Sequence, residues 1–453
     1  MLVIGAALAI GIVCVVLAVA GRRSRFAALF IACAVCPLPF GPPFSVSTAS
    51  AAQAARARAF TDSVCVNTHL HFSDTPYYRR WSDVRDALVA SGIRHVRDTQ
   101  LASPVWPYWN VAPRWQELAA AGVRATLGPP HNAYFANAVA RAAENPAVEA
   151  TEGANELDQT GTGWQARLRN TQIALWNETR KYANLSWRPV LVGSLAFSSR
   201  WSQVTDDLTP YFTRGNLHSY PGGRTPDANL TSQFDSAKPH FGGRYVWATE
   251  TGYHNAVDAP LTEGHKPASE RAQGIYAPQL YLDYYRRGIT RTCLYEFLDE
   301  WADPQKDDRE SNFGLLRNDL TPKPAYTNVA RLLKLLRDPD PTTTPGALGF
   351  TLSGPTTLRS KLFQKGDGSF WLALWNDVSV WDPVTRANLY PSAAAASLTF
   401  DARRLWSLYD LRSGTAPTRS GTGNSLSVSV PAVPLLLRVS SAVASRHRRV
   451  HRR

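Results

Sequence analysis

Eight short runs rich in β-forming apolar residues recur between residues 63 and 297, and this repetition constrains the fold most. Between the runs, apolar residues recur every three or four positions, which is typical of amphipathic helices. Eight alternating strand and helix units predict an α/β fold, the (β/α)8 TIM barrel. A doubly wound open sheet is the alternative, which the lack of a glycine-rich phosphate loop after the first run disfavours. The runs cover residues 63–68, 93–97, 123–127, 147–152, 189–195, 215–220, 244–249 and 291–297.

The pattern changes after the last helical segment. Residues 338–346 are rich in Pro and Thr and indicate a domain boundary. Beyond it, short alternating runs continue to residue 440, and QKGDGSFWLALW predicts a hairpin with Gly-Asp-Gly at its turn. We therefore expect the barrel over residues 53–338, a C-terminal antiparallel β-sandwich domain over residues 345–440, and a basic tail over residues 441–453.

The first 52 residues look like export sequences. Residues 1–20 contain no charged side chain and are long enough to span a bilayer. They are predicted to be a transmembrane segment, or a leader that results from a start codon assigned too far upstream. Residues 21–52 resemble a signal peptide, with a basic start, an apolar centre, and Ala49 and Ala51 before a cleavage site. Both interpretations predict an exported body, secreted or associated with the cell envelope, with a possible N-terminal membrane anchor.

Most of the formal net charge of +13 lies at the ends of the chain. The segment SRHRRVHRR at the C-terminus holds five Arg and GRRSR near the start holds three, and without them the net charge is +5. No nucleic-acid partner is therefore expected for the folded body, which we expect to be a monomer.

Two cysteines, Cys65 and Cys293, lie in the middle of strand-like runs. Neither a zinc site nor a disulfide framework can be built from their spacing. They are expected to be buried free thiols, or to form a disulfide if their two strands are neighbours.

Two glutamates mark the ends of strand-like runs. Glu156, preceded by Asn155, follows the fourth run, and Glu250 follows the seventh. In a (β/α)8 barrel the carboxyl ends of all strands lie on one face, where sites form. A proton donor and a nucleophilic carboxylate about 5–5.5 Å apart are what retaining glycoside hydrolysis requires. Alternatively, each glutamate caps a helix or forms a surface ion pair.

This order of residues resembles clan A of the glycoside hydrolases, which includes the family 5 cellulase-like and family 39 xylosidase-like enzymes. The resemblance covers most of residues 60–338. It implies that Glu156 is the acid/base and Glu250 the nucleophile of a retaining hydrolase of O-glycosidic bonds. It also implies that Arg97, which ends the second run, keeps the nucleophile ionised and that Asn155 hydrogen-bonds a sugar 2-hydroxyl. A less polar setting is expected to keep Glu156 protonated.

Further side chains at strand ends are candidate contacts to the carbohydrate substrate. The resemblance places an aromatic hydroxyl beside the nucleophile, a position that Tyr220 fits. For a lone His, a structural role is an equal alternative. No HExxH or other close pattern of His and carboxylate occurs, so no metal and no cofactor are expected. The candidate substrate contacts are His69, His131, His218, Tyr220, Glu296 and Trp301.

Two other functions remain open from the sequence. A barrel without catalysis could bind glycans as an envelope scaffold, although the presence of both glutamates argues against it. A transglycosylase would use the same residues with a sugar as the acceptor instead of water.

Overall fold

The computed structural model describes residues 44–46, 50–101, 111–260, 265–340, 342 and 344–441. The chain divides into two units, Met1–Phe44 and Ser45–Arg453, and the elements described here lie in the second, apart from the first residue of β1. The segments predicted over residues 1–20, most of 21–52, and the tail beyond residue 441 lie outside the described residues. Within the described ranges, no helix combines the length and the apolar character needed to cross a bilayer.

The strands are, in chain order, β1 (Phe44–Val46), β2 (Ser50–Gln53), β3 (Ala55–Arg56), β4 (Val64–Asn67), β5 (His95–Thr99), β6 (Arg124–Gly128), β7 (Val148–Glu152), β8 (Val190–Leu191), β9 (Gly215–His218), β10 (Val246–Thr251), β11 (Ile289–Leu294), β12 (Ala347–Pro355), β13 (Leu358–Gln364), β14 (Phe370–Asn376), β15 (Trp381–Asp382), β16 (Ala387–Asn388), β17 (Ala394–Asp410), β18 (Arg419–Val430) and β19 (Leu435–Ser441).

The helices are α1 (Ala57–Thr61), α2 (Pro76–Arg79), α3 (Trp81–Ser91), α4 (Ala112–Ala120), α5 (Phe135–Glu144), α6 (Trp164–Thr179), α7 (Asp227–Ala237), α8 (Glu270–Arg286) and α9 (Pro324–Leu336).

Strands β4 to β11 form a parallel barrel. Their order in the sheet is β8-β7-β6-β5-β4-β11-β10-β9. A bridge between Leu191 in β8 and Arg214, the residue before β9, joins the two ends of the sheet and closes it. Each of the eight strands overlaps one of the eight runs found in the sequence and extends up to two residues beyond it at some ends, so the predicted barrel is confirmed.

Helices follow most barrel strands and pack their apolar sides on them. Helix α3 ends at Gly92, whose φ of 84° is the left-handed conformation that ends many helices. Helix α8 begins at Ser269, whose side chain accepts a hydrogen bond from the amide of Ala272. After the fifth strand the chain forms 3-10 turns at Ser198–Gln203 and Thr209–Tyr211 instead of an α-helix.

The C-terminal strands form the predicted β-sandwich. Its central strand, β17, is 17 residues long and changes partner along its length. Residues 397–400 pair antiparallel with β12, whereas residues 404–410 pair antiparallel with β19. The sheet can therefore fold over on itself and enclose a core. That core includes Leu362, Leu374, Leu398, Leu426 and Leu437.

Two short strands that precede the barrel also join the sandwich. Strand β2 pairs antiparallel with β12, in register Gln53 to Ala347, and β3 pairs parallel with β13. The sequence did not predict these strands, because four- and two-residue segments carry too little alternation to detect. The residues before the barrel thus contribute to the domain that follows it.

Barrel and sandwich share one hydrophobic core. Phe363, Trp371 and Trp375 of the sandwich belong to the cluster that also contains the barrel helices' apolar residues. Within the barrel, a disulfide joins Cys65 in β4 to Cys293 in β11. These strands are adjacent and the two cysteines are directly opposite in register. Of the two states that the sequence left open, free thiols or a disulfide, the structure has the disulfide, because the two strands are neighbours.

Candidate active site

Glu250 lies on β10, the seventh barrel strand, near its carboxyl end, and is only 9% exposed. Its Oε1 accepts a hydrogen bond from Nη1 of Arg97 at 2.5 Å. Its Oε2 accepts one from the hydroxyl of Tyr220 at 2.9 Å. Both partners are those that the sequence placed beside this carboxylate, so one cation and one phenol fix its position.

Glu156 lies in the turn after β7, the fourth barrel strand. Its backbone has φ 45° and ψ 44°, a left-handed conformation that is uncommon for residues with a side chain. Gly153 makes the turn possible, because a Cβ there would come within 2.5 Å of the amide nitrogen of Gly193. The amide of Glu156 donates to Oγ of Ser194 at 3.2 Å, which holds the turn against the end of β8.

His218, the last residue of β9, lies between the two glutamates. Its Nδ1 hydrogen-bonds Oε1 of Glu156 at 2.7 Å and is 3.6 Å from Oε2 of Glu250. One carboxylate oxygen of each glutamate and a ring nitrogen of His218 lie within 4.8 Å of one another. The fourth and seventh strands therefore bring their two carboxylates together, as expected from the sequence.

The pKa of Glu156 differs from what the sequence led us to expect. Burial raises the pKa of Glu156, but the hydrogen bond and charge of His218 and the charge of Arg97 outweigh it, so the pKa is lowered. Burial lowers the pKa of His218, but the charge of Glu250, the nearby carboxylate of Glu152 and the hydrogen bond to Glu156 raise it to about 10. The pKa of Glu156 is therefore lowered, whereas the sequence predicted a raised one, and it is the pKa of His218 that is raised.

Glu152 is the main site residue that the sequence did not identify. It is fully buried and accepts hydrogen bonds from Nε of Arg97 at 2.8 Å and from Asn216 at 2.9 Å. Burial raises the pKa of Glu152, but the charge and hydrogen bonds of Arg97 and the nearby imidazole of His218, 3.9 Å away, lower it. A charge inside a buried strand needs a partner. The sequence therefore held a signal for Glu152, because the strand-like run VEATE ends in a glutamate.

Arg97 joins these groups. In addition to Glu152 and Glu250, it donates through Nη2 to Oδ1 of Asn155 at 2.8 Å and through Nη1 to Oδ1 of Asn67 at 3.2 Å. The burial of Arg97 lowers its pKa, but the two glutamates raise it further, so it stays charged. A single guanidinium thus fixes the nucleophile candidate and the Asn of the Asn-Glu pair.

A second cluster lies after the first and eighth strands. Nδ1 of His69 hydrogen-bonds Glu300 and is 3.4 Å from Oε2 of Glu296. Glu296 also accepts from the hydroxyl of Tyr77 at 3.0 Å and is fully buried. Burial and the charge of Glu300 raise the pKa of Glu296 to about 8. Glu296 was predicted to contact substrate; here it lies behind His69 and orients that ring.

The remaining candidates lie apart from the two carboxylates. The Trp301 indole donates to Asp74 at 2.9 Å and stacks on Phe72, which in turn stacks on His69. His131 stacks on Phe135 with ring centroids 4.6 Å apart. Burial lowers the pKa of His131 to about 4. Trp301 thus extends the second cluster, whereas no contact in the described part of the chain links His131 to either cluster.

Each cluster contains one His and two Glu that could in principle hold a metal ion. In both, the ring nitrogen nearest the carboxylates hydrogen-bonds one of them. The burial of His69 lowers its pKa, but Glu296 and Glu300 outweigh this and raise it, as happens at His218. The contacts in both clusters are pairs between an imidazole and carboxylates.

No protein-family model matches the sequence, and no curated protein matches it. The fold is similar to that of a family 39 glycoside hydrolase from the gut symbiont Bacteroides cellulosilyticus WH2, with a TM-score of 0.54 and 13% identity over 84% of this chain and 82% of that chain. It is also similar to the GH39 enzyme from Xanthomonas axonopodis pv. citri, with a TM-score of 0.54 and 12% identity over 86% and 96% of the two chains. These likenesses show the shared barrel and sandwich fold.

Proposed function

We propose that this protein is a retaining glycoside hydrolase that cleaves O-glycosidic bonds in an extracellular or cell-envelope poly- or oligosaccharide. The observation that carries this proposal is the approach of Glu156 and Glu250, whose nearest carboxylate oxygens lie within 4.8 Å. Retaining enzymes place their two carboxyl groups about 5–5.5 Å apart, whereas inverting enzymes leave roughly 6.5–9.5 Å for a water molecule. The family 39 fold supports the same assignment by analogy.

In the first step Glu250 attacks the anomeric carbon, and the bond from that carbon to the leaving oxygen breaks. The negative charge of Glu250 is lost in the ester that forms. Because that charge raises the pKa of His218, its loss favours release of the His218 proton to Glu156. Glu156, 2.7 Å from Nδ1, then protonates the leaving oxygen. The His218–Glu156 pair thus replaces the isolated carboxylic acid that the sequence suggested.

In the second step Glu156, again a carboxylate, removes a proton from water as the water attacks the anomeric carbon. The ester to Glu250 breaks as the water oxygen bonds to the anomeric carbon, and the carboxylate of Glu250 returns. Its charge raises the pKa of His218 again, so the proton passes from Glu156 back to Nδ1 of His218. Double displacement retains the configuration of the sugar. Arg97 and Tyr220 hold Glu250 in place for both steps.

The disulfide supports export of the folded body. Disulfides form and persist mainly in oxidising compartments, and Cys65 and Cys293 are both fully buried in the barrel. The apolar segment of residues 1–20 and the signal-like segment of 21–52 point the same way.

The test is direct trapping of the intermediate. The protein is screened with aryl glycosides and with bacterial and plant polysaccharides, and the configuration of the first product is followed by proton NMR. Retention, with a sugar mass on the peptide that contains Glu250, is the expected result. Inversion, or a sugar on another residue, contradicts the proposal. Addition of sugar acceptors separates hydrolysis from transglycosylation, and glycan binding without turnover indicates the non-catalytic alternative.

A further inference from the structure

The ends of the barrel strands opposite the glutamates carry a repeated feature. Six of the eight strands have an arginine at their first residue or within the two residues before it. Parallel strands all begin on the same face of a barrel, so these residues surround the end opposite the active site. This arginine ring consists of Arg94, Arg124, Arg188, Arg214, Arg244 and Arg287.

Most of the ring has no carboxylate partner. Arg287 forms an ion pair with Asp227 at 3.0 Å. Across the described ranges, the other five form no salt bridge. They donate to backbone carbonyls, as Arg124 does to Pro146 at 3.3 Å and Arg214 to Thr213 at 2.8 Å. Their positive charge is therefore available to an external partner.

Two exposed aromatic side chains lie at the same end. Trp187 is 71% exposed and Tyr245 is 66% exposed. The guanidinium of Arg188 lies 4.5 Å from the Trp187 ring centre, and that of Arg214 lies 5.7 Å from the Tyr245 ring centre. The segments that carry these rings lie on either side of residues 213–215. The amide of Gly215 donates to the carbonyl of Tyr245 at 3.0 Å, and the amide of Thr213 donates to the carbonyl of Val190 at 2.8 Å. Aromatic rings and guanidinium groups therefore form one surface.

We propose that the arginine ring with Trp187 and Tyr245 is a docking surface for an anionic lipid bilayer. Trp and Tyr side chains favour the headgroup level of a bilayer, where an apolar ring and a polar edge are both accommodated. Arg binds phosphate groups through paired hydrogen bonds. Docking at this end directs Glu156 and Glu250 away from the bilayer, toward polymers outside it. The surface thereby orients the barrel relative to the bilayer, and this role does not depend on which substrate the active site accepts.

The test uses the full chain with vesicles of phosphatidylglycerol and phosphatidylcholine, and with vesicles of phosphatidylcholine alone. Amide hydrogen exchange is measured in both. We expect slower exchange in segments 186–188, 213–215 and 243–246 on the anionic vesicles only, and no change in segment 387–390. Addition of 0.5 M NaCl should reverse the protection, since salt screens exposed charges.

A triple variant, Trp187→Ala/Arg188→Gln/Arg214→Gln, isolates the surface. Each arginine near an anionic membrane contributes about a fivefold gain in affinity, so the variant should lose the salt-sensitive protection and bind roughly 20-fold or more weakly. The control is Arg271→Gln/Tyr390→Ala, which removes an exposed aromatic ring stacked 4.3 Å under a guanidinium in another part of the surface. It should behave like the parent chain. Thermal unfolding of all variants checks that they are folded.

Three outcomes overturn the proposal. They are equal protection on neutral vesicles, protection that persists in the triple variant, and protection by soluble polygalacturonate with none on vesicles. The last result would assign the surface to an acidic polysaccharide instead of a lipid bilayer.

Discussion

The two His–carboxylate clusters at the active-site end of the barrel contain the same residue types but behave in opposite ways. In the first, His218 lies between Glu156 and Glu250, and the pKa of Glu156 is lowered although burial alone raises it. In the second, His69 lies beside Glu296 and Glu300, and burial raises the pKa of Glu296 to about 8.

The difference is a second cation. Arg97 contacts Glu152 and Glu250 and adds its charge near Glu156. In the second cluster His69 is the one cation in direct contact with the two carboxylates, within the described residues.

In the described part of the chain, the first cluster has two cations for three carboxylates and further hydrogen bonds from Tyr220, Asn216 and Thr249. In the second, one imidazolium and the Tyr77 hydroxyl face two buried carboxylates, and burial and the charge of Glu300 raise the pKa of Glu296. In the first cluster Arg97 and His218 therefore both lie beside Glu250, whereas in the second Glu296 and Glu300 share His69.

The largest expected effect distinguishes these roles directly. Glu250→Ala removes the proposed nucleophile and should lower kcat by at least about 10⁴-fold, with azide restoring part of the activity and inverting the product. The matched change Glu300→Ala removes a carboxylate from the second cluster. Glu300→Ala should lower kcat on the order of tenfold, because His69 still lies beside the carboxylate of Glu296. Steady-state kinetics measure both, and equal losses would contradict the division of roles.

Glu156→Ala should fail in a different way. Loss of a general acid costs roughly 10²- to 10⁴-fold for poor leaving groups. Aryl glycosides with acidic leaving groups need no proton, so their first step should survive and a glycosyl–enzyme should accumulate. Azide should then speed turnover with retained configuration. Pre-steady-state bursts and product NMR measure this, and a uniform loss for all leaving groups would argue against the acid/base role.

Arg97→Gln tests the role of Arg97, the cation that the first cluster has and the second lacks. It leaves two buried carboxylates without their cation, which should cost about 3–5 kcal/mol in the free energy of unfolding. The double variant Arg97→Gln/Glu152→Gln should regain part of that loss. Arg85→Gln is the control, because it breaks only exposed pairs and should cost under about 1 kcal/mol. Urea unfolding checks all three, and a loss similar to that of the control would refute the assignment.

The sequence predicted the barrel and the approach of Glu156 to Glu250 because strand order fixes where strand ends meet. The positions of Glu156 and Glu250 at the ends of the fourth and seventh predicted strands were enough to predict that they lie close together. The raised pKa of His218 was not predictable, since it depends on three carboxylates from separate strands. The role of Glu296 was misjudged for a similar reason: its burial behind His69 and Tyr77 arises from folding of the segments after β4 and β11. Strand β2, which pairs with β12, was not predicted because its four residues are too few to show an alternating pattern.

The second cluster predicts a pH effect on stability. A carboxyl group whose folded pKa is raised binds protons more strongly in the folded state. Its contribution therefore falls as pH rises from the ordinary value near 4.5 to about 8. Glu296→Gln removes this loss, so the variant should gain on the order of 1–3 kcal/mol relative to the parent between pH 5 and pH 8. Urea unfolding at both pH values measures the difference, with the exposed Glu144→Gln as control. A variant whose stability changes in parallel with the parent would contradict the raised pKa.

The smallest expected effect concerns the edge of the second cluster. Trp301 is partly exposed and stacks on Phe72, which stacks on His69, so its ring can extend a surface for a sugar face. Trp301→Ala should raise KM about three- to tenfold while leaving kcat nearly unchanged, since an aromatic contact contributes roughly 0.5–1.5 kcal/mol. His131→Ala is the comparison, because His131 contacts Phe135 and neither cluster. It should leave both constants within about twofold of the parent. A larger effect on kcat at Trp301 would mean that the indole positions His69 during the reaction, and a KM effect at His131 would extend the binding surface beyond the third strand.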